Sequence, residues 1–306
     1  MAGPRLVVDP PTFTPSPYGL LSVVDQPGTP DAHWMNGITW KSVCASGANS
    51  TTYDECLVVT GGTSPAQAGA PPPPASKTDN VDVTYRGATP FTVMTKFDCS
   101  PVGGLETARE DALRALSQTE PYQVENSFWT GISGGQVVAF PHLAANAAVV
   151  DQQSIVLQLA TVTVTGGATP LHVTEALGLL EGAIARCYNG VGVIHVPQAA
   201  LPTLDAWGLV HPRGAVLYTA NGNRIAAGSG YPGTSPAGAA PAAGSTWLYA
   251  TGAVSMRRSD IKVLDQPRSA MINRAENTLE MIVERTYVFA YDCCLFGVLT
   301  SVSVPV

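Results

Sequence analysis

The sequence predicts an α+β protein, and three segments carry that reading. Residues 105–117 place Leu105, Ala108, Ala112, Leu113 and Leu116 on one face at helical spacing, with Glu106, Arg109, Glu110 and Arg114 elsewhere. Residues 170–188 read as a second helix that feeds an apolar strand at 192–196. Thr278, Glu280, Ile282 and Glu284 alternate with Leu279, Met281 and Val283, the period-two pattern of a half-buried strand.

In chain order, residues 1–35 are proline-rich without periodicity and read as an extended arm. Short β-rich runs follow at 37–43, 56–60, 81–86 and 90–97. Between the second and third runs lies a Gly/Ala/Ser stretch with Pro71 to Pro74, which together read as a projecting β-arm with a polyproline tip. In the first helix, Glu110 and Arg114 form a favourable i,i+4 pair. Pro121 is expected to bend or restart that helix, with residues 122–129 continuing it until Gly131, Gly134 and Gly135 end it. Thr169 is the expected N-cap of the second helix, and Gly190 lies just past its end. A short helix is expected at 198–207, and a hairpin at 216–227 around Asn221-Gly222. Residues 228–245 form a Gly/Ala/Pro loop, and strands are expected at 247–256, 276–291 and 294–304.

Composition narrows the function classes. Of 306 residues, 45% are hydrophobic, enough for a sizeable core, but only 13% are charged, against about 25% in an ordinary soluble domain. The net charge of −7 and only four Lys (Lys41, Lys77, Lys96, Lys262) disfavour a protein whose main task is gripping nucleic acid. So little charge would leave a free monomer poorly soluble, which suggests that other protein covers much of the surface. No stretch reads as a signal peptide or a transmembrane helix; Asp292 interrupts the best candidate. Cys44, Cys56, Cys99, Cys187, Cys293 and Cys294 contain no CxxC pair, so zinc is not expected. They are expected to be reduced at synthesis; Cys44 and Cys56 either meet across a hairpin and oxidise later or remain buried thiols.

Motifs for chemistry are sparse. Gly131-Ile-Ser133-Gly-Gly135 matches G-x-S-x-G, with Asp205 and His211 later in the order of a hydrolase triad. A helix precedes this Ser133 where a strand is required, so a glycine turn is the better reading. His33, His142, His172, His195 and His211 show no metal-ligand spacing, and His195 sits in an apolar strand as a core histidine would. No phosphate-binding loop occurs. Arg257-Arg258, the one basic doublet, reads as an exposed strand end. No catalytic, cofactor-binding or metal-ligating residue is assigned, and no cofactor is expected.

A resemblance then enters from an ordered series of short motifs. They are Glu125-Asn-Ser-Phe-Trp-Thr-Gly131, Gly192-Val-Ile-His-Val-Pro197, Trp207-Gly-Leu-Val, Leu217-Tyr-Thr, Ala227-Gly-Ser-Gly-Tyr231, Trp247-Leu-Tyr-Ala-Thr-Gly252, Glu276-Asn-Thr and Glu284-Arg-Thr. In this order, over residues 105–304, the chain resembles the major capsid proteins of tailed bacteriophages with the Hong Kong 97-like fold, most similarly those of phages of actinobacteria. The resemblance implies an N-terminal arm at 1–35, an E-loop at 36–102 and a peripheral domain at 103–169 whose spine helix is 103–131. It further implies an axial domain at 170–255 and returning peripheral strands at 256–306. Pro121 departs from an uninterrupted spine helix, and a kink is expected there. Some members crosslink through a Lys and an Asn; nothing marks Lys41, Lys77 or Lys96 as reactive, so no crosslink is expected.

The function so implied is structural, not enzymatic: self-assembly into the hexamers and pentamers of an icosahedral shell around double-stranded DNA. The implied partners are further copies of the chain, a portal, scaffold or decoration proteins, and packaged DNA held non-specifically, with no membrane. The implied location is the virion, assembled in the host cytoplasm. An encapsulin-like bacterial compartment shell is the alternative, and a Ser133 hydrolase a remote one.

Overall fold

The computed structural model describes residues 12–28, 32–42, 84–99, 105–158, 163–264, 272–273 and 278–302. The strand run expected at 56–60, the Pro71–Pro74 tip, Lys77 and the Cys44/Cys56 pair lie outside them.

Helix and sheet both occur, as an α+β chain requires. Strands β1 (Ile38–Ser42) and β2 (Thr84–Ala88) pair antiparallel, Ile38 opposite Ala88 and Ser42 opposite Thr84. Next comes β3 (Phe91–Cys99), and then helix α1, which spans Leu105–Thr130 as one element of 26 residues with Pro121 inside it. The helix therefore does not restart at Pro121. Its buried row is Ala108, Ala112, Leu116, Glu120, Val124 and Phe128, a strict i,i+4 stripe interrupted by one carboxylate. Arg114 pairs with Asp111 at 3.4 Å and not with Glu110. The helix ends at Gly131, whose φ of +76° suits glycine and where a Cβ would lie 2.5 Å from the His142 ring.

A tight hairpin follows, β4 (Ile132–Ser133) against β5 (Gln136–Val137), turning through Gly134 and Gly135 at φ of +58° and +80°. Strands β6 (Val149–Val150) and β7 (Val156–Gln158) extend the first sheet, whose order is β1-β2-β7-β6.

The larger sheet has seven strands. Strand β8 (Thr163–Val164) lies at its edge, and helix α2 (Val173–Tyr188) packs on it. The α2 cap is His172 and not Thr169, because Leu171 is drawn into strand-like bonding: its N–H donates to Leu299, and its carbonyl accepts from Ser301. The chain continues through β9 (Val193–Pro197), helix α3 (Leu201–Ala206), β10 (His211–Arg213), β11 (Val216–Tyr218) and β12 (Arg224–Gly228). The last two form the expected hairpin, with Leu217 opposite Ile225. The expected strand 247–256 is two strands. β13 (Ser245–Thr251) belongs to this sheet, and β14 (Val254–Arg258) has moved to the next. The break falls at Gly252, where a Cβ would meet the Tyr188 ring at 2.9 Å.

Strands β15 (Lys262–Val263), β16 (Ile272–Asn273) and β17 (Thr278–Tyr291) follow, and β18 (Leu295–Ser301) closes the seven-stranded order β10-β11-β12-β9-β13-β18-β8. The 14-residue β17 organises a third sheet, pairing with β3 along one edge and with β14, β15 and β16 along the other. Met281 and Val283 are buried as the alternation predicts; from Tyr287 to Tyr291 both faces are buried.

Two main cores result. One surrounds Phe128 and Trp129 of α1, between the β17 sheet and the seven-stranded sheet. The other lies under α2, around Leu180, Ile184, Ile194, Leu248 and Val298.

Candidate assembly surface

Part of the segment that reads as an extended arm is built into the body. Leu20 and Val23 are buried in the first core. The segment is stitched to both sheets by main-chain bonds. Ala227 N of β12 donates to the Tyr18 carbonyl at 2.7 Å, Asp25 N donates to Val254 of β14, and Met256 N donates to Asp25. Arg224 Nη1 adds bonds to the Val23 carbonyl at 2.8 Å and to Asp25 Oδ1 at 3.1 Å. Residues 18–25 thus form a strap from the seven-stranded sheet to the β17 sheet.

The strap is keyed to the long helix by one carboxylate. Glu125 Oε1 accepts the Leu20 N–H at 2.9 Å; Oε2 accepts the Gly230 N–H at 2.9 Å and the Ser229 hydroxyl at 3.2 Å. Burial pushes the Glu125 pKa up, and the three donors partly oppose that rise. Below it, Trp129 Nε1 donates to Thr234 Oγ1, while the Tyr249 hydroxyl donates to the Thr234 carbonyl. A second carboxylate, Glu120, accepts Arg285 Nη1 at 3.2 Å on both oxygens and the Tyr287 hydroxyl. α1 is therefore fixed by polar contacts to the strap, the 228–234 loop and β17.

His195 is the core histidine its apolar strand implied. Thr251 spends its one proton on the Gly252 carbonyl, so its oxygen accepts from His195 Nε2–H at 3.0 Å. His195 Nδ1 is then the acceptor for the Tyr231 hydroxyl at 3.2 Å. Burial lowers the His195 pKa to about 3. His142 is likewise held down by burial, and His172 caps α2 while stacking edge-on against Trp207.

The hydrolase candidates are not brought together. Ser133 precedes the turn of the β4–β5 hairpin, Asp205 lies on α3 and His211 on β10, and no hydrogen bond joins them. Ser133 does not sit on a strand-to-helix elbow. Arg257 donates to the Gly28 carbonyl at 3.2 Å, which ties the basic doublet to the segment just after the strap. Lys96 of β3 pairs with Glu280 of β17 at 2.9 Å and with Asp98 of its own strand at 3.5 Å. Among the described residues no group of His, Cys, Asp and Glu is placed to hold a metal, and no described helix is long and apolar enough to cross a membrane.

The structure pairs two cysteines to which the sequence assigned no partner. Cys187 and Cys294 form a disulfide, joining the last turn of α2 to the start of β18 with their Cα atoms 6.0 Å apart. Their separation of 107 positions hides the pairing from sequence spacing.

Exposed apolar side chains are scattered over several faces. Met94 on β3 is 65% exposed, Tyr85 on β2 is 61%, and Val137 on the hairpin is 56% with Ile132 exposed opposite it. Tyr122 of α1 and Phe13 are exposed beside a cleft of about 600 Å³ between the strap and the helix. Glu120, Glu125, Gly230 and Cys187–Cys294 were not singled out from the sequence. For Glu125 a signal existed: it lies four positions before Trp129, on a face that had to be buried.

No protein-family model matches the chain, and no curated protein matches it. Solved structures do. The capsid of an empty GTA particle matches with 10% identity over 98% of this chain and 95% of that one, at a TM-score of 0.55. The capsid of a native GTA particle matches with 12% identity over the same shares, at 0.53. A chain of Microbacterium phage Oxtober96 matches with 14% identity over 97% and 95%, at 0.49. The GTA capsid matches show a shared fold over nearly the whole chain: the α+β, Hong Kong 97-like capsid fold expected from the sequence motifs.

Proposed function

We propose that this chain is the major capsid protein of a tailed phage, a structural subunit that self-assembles into hexamers and pentamers of an icosahedral shell around double-stranded DNA. The observation that carries this reading is the extent of the fold match: 98% of the chain aligns with 95% of a capsid chain, leaving little of either for another task. The surface supports it. Apolar side chains are exposed on β2, β3, α1 and the β4–β5 hairpin, as a subunit with several neighbours requires. A charge content of 13% keeps desolvation small when such faces are buried. A net charge of −7 suits a container that must not hold its DNA tightly.

On this reading residues 1–35 are the N-terminal arm, 36–102 the E-loop, 103–169 and 256–306 the peripheral domain, and 170–255 the axial domain. The chain works without catalysis, in the virion, after assembly in the host cytoplasm. Its partners are copies of itself, a portal, scaffold or decoration proteins, and DNA held non-specifically.

Electron micrographs of the purified protein, with sedimentation as a check, test the proposal. Closed shells tens of nanometres across support it, and a stable monomer or dimer under all assembly conditions overturns it. DNA inside the shells separates a phage capsid from an encapsulin-like compartment, which would carry protein cargo.

A further inference from the structure

We propose that Cys187 and Cys294 are a redox-responsive lock that closes after the chain has folded, fixing the end of α2 onto the seven-stranded sheet. The inference does not depend on the capsid reading.

Three observations carry it. First, the contact that the bond crosses is complete without it. Val173, Ala176, Leu177, Leu180 and Ile184 of α2 are buried against the sheet in one apolar cluster that includes Cys294. The α2–β18 juxtaposition is therefore made by packing, and the thiols meet because the fold brings them together. Second, the two sulfurs are unequally accessible. Cys187 is partly exposed in the last turn of α2, whereas Cys294 is 1% exposed. A reagent from solvent can reach Cys187 first. Third, the bond ties positions 107 residues apart. A crosslink closing so long a loop acts strongly on the unfolded chain.

The reaction balances with a small-molecule disulfide of the glutathione type as oxidant. The Cys187 thiolate attacks one sulfur of the oxidant, forming a mixed disulfide and releasing one thiolate. The Cys294 thiolate then attacks Cys187 Sγ, forming the internal bond and releasing the second thiolate. Two protein thiols are oxidised, one small disulfide is reduced to two thiols, and the two protein protons pass to solvent or to the leaving thiolates. Because the second step needs a thiolate at the buried Cys294, closure is slow relative to folding.

The test uses the full chain, isolated under reductant with a sample alkylated at once, and then exposed to oxidised glutathione. Mass spectrometry follows Cys187 and Cys294, circular dichroism reports folding, and thermal unfolding reports Tm. The expected result is a reduced chain that is folded and cooperative. Glutathione appears transiently on Cys187 before the Cys187–Cys294 bond, and closure raises Tm by roughly 5–10 °C. Cys187→Ser and Cys294→Ala should each keep the Tm below that of the oxidised chain by this amount, and the double variant should be no lower than either. Because reductant also opens the disulfide of Cys293, the oxidised Cys187→Ser chain is the sample that lacks only this bond, and the absence of a cooperative transition in it at 25 °C overturns the proposal. Pairing of either cysteine elsewhere overturns it, as does a Cys187→Ser Tm equal to that of the oxidised chain. Cys294→Ala lacks the same bond and decides the matter if Cys187→Ser alone fails to fold.

Discussion

The Leu20 amide donates to Glu125 Oε1 at 2.9 Å across 105 positions of sequence. That bond joins the N-terminal strap to the C-terminal part of α1, while the other carboxylate oxygen holds Gly230 and Ser229 of the loop after β12. Three separated segments converge on one side chain that is only 2% exposed. A buried acceptor with this many donors is costly to remove, since each donor left without a partner forfeits its solvation as well as its bond.

Glu125→Ala should therefore destabilise the chain by about 3–5 kcal/mol, a sum of orphaned donors at roughly 1–3 kcal/mol each. Glu125→Gln keeps one acceptor oxygen but turns an N–H₂ toward donors, and should fall between Ala and the wild type. Urea unfolding of the three chains measures the order. Equal midpoints for Glu125→Ala and the wild type would remove Glu125 as the key of the strap.

The same joint constrains a glycine. A Cβ on Gly230 would stand 2.0 Å from the Tyr122 carbonyl oxygen and 2.9 Å from the Asn126 nitrogen, both backbone atoms of α1. Helix backbone cannot give way as a flexible side chain can, so the loop would have to lift and break its bond to Glu125. Gly230→Ala should cost about 3 kcal/mol or more, in the range of severe core overpacking. Gly134→Ala, where open space surrounds the Cβ position and only a φ of +58° opposes it, should cost about 1 kcal/mol. Thermal unfolding of both variants compares steric block with backbone strain.

Glu120 offers a charge test. It accepts from Arg285 and Tyr287, and the Arg285 and Glu120 side chains are 18% and 11% exposed. Glu120→Ala strands a largely buried guanidinium and should cost about 3–5 kcal/mol. Tyr287→Phe removes one donor from a carboxylate that keeps its other partner, and should cost about 1–2 kcal/mol. Chemical denaturation of each variant reads the difference; a Tyr287→Phe loss as large as that of Glu120→Ala would refute this division.

The sequence made α1 and β17 legible because both bury a continuous periodic face: Ala108, Ala112 and Leu116 repeat every four residues, Met281 and Val283 every two. Pro121 left a bend or a restart open, and the structure removes the restart: one helix runs through it, with Leu116 and Val124 buried on either side. The strap could not be read, since Leu20 and Val23 are buried through long-range main-chain bonds that leave no periodicity. Strand 247–256 read as one element because only small residues, Thr251, Gly252 and Ser255, interrupt its apolar run, with no Pro or charge; the change of sheet at Gly252 depends on the approach of the Tyr188 ring. The Glu125 cluster and the Cys187–Cys294 pair share this cause. Both are made by residues about a hundred positions apart, and pairing at that distance belongs to the fold and not to local pattern.

His195 gives a pH dependence whose sign can be worked out. Its pKa is about 3 in the folded chain against an ordinary value near 6.5, because full burial disfavours the imidazolium and its neighbours Tyr231, Thr251 and Phe128 carry no compensating charge. A lowered folded pKa means that the unfolded chain binds the extra proton first. The contribution of neutral His195 is complete above pH 6.5 and is lost progressively as the pH falls toward 3, by about 1.4 kcal/mol per pH unit at the steepest. Glu125 acts in the opposite direction, because its raised pKa favours the folded state as the pH falls through the carboxyl range. Between pH 6.5 and 5 the histidine effect should dominate, and unfolding free energy should fall. His195→Gln keeps a donor and an acceptor but cannot take up that proton. It should lower stability at pH 7 through imperfect packing while flattening the slope between pH 6.5 and 5. Urea titrations at half-unit pH intervals on both chains make the comparison; parallel slopes would show that the acid sensitivity of this fold arises elsewhere.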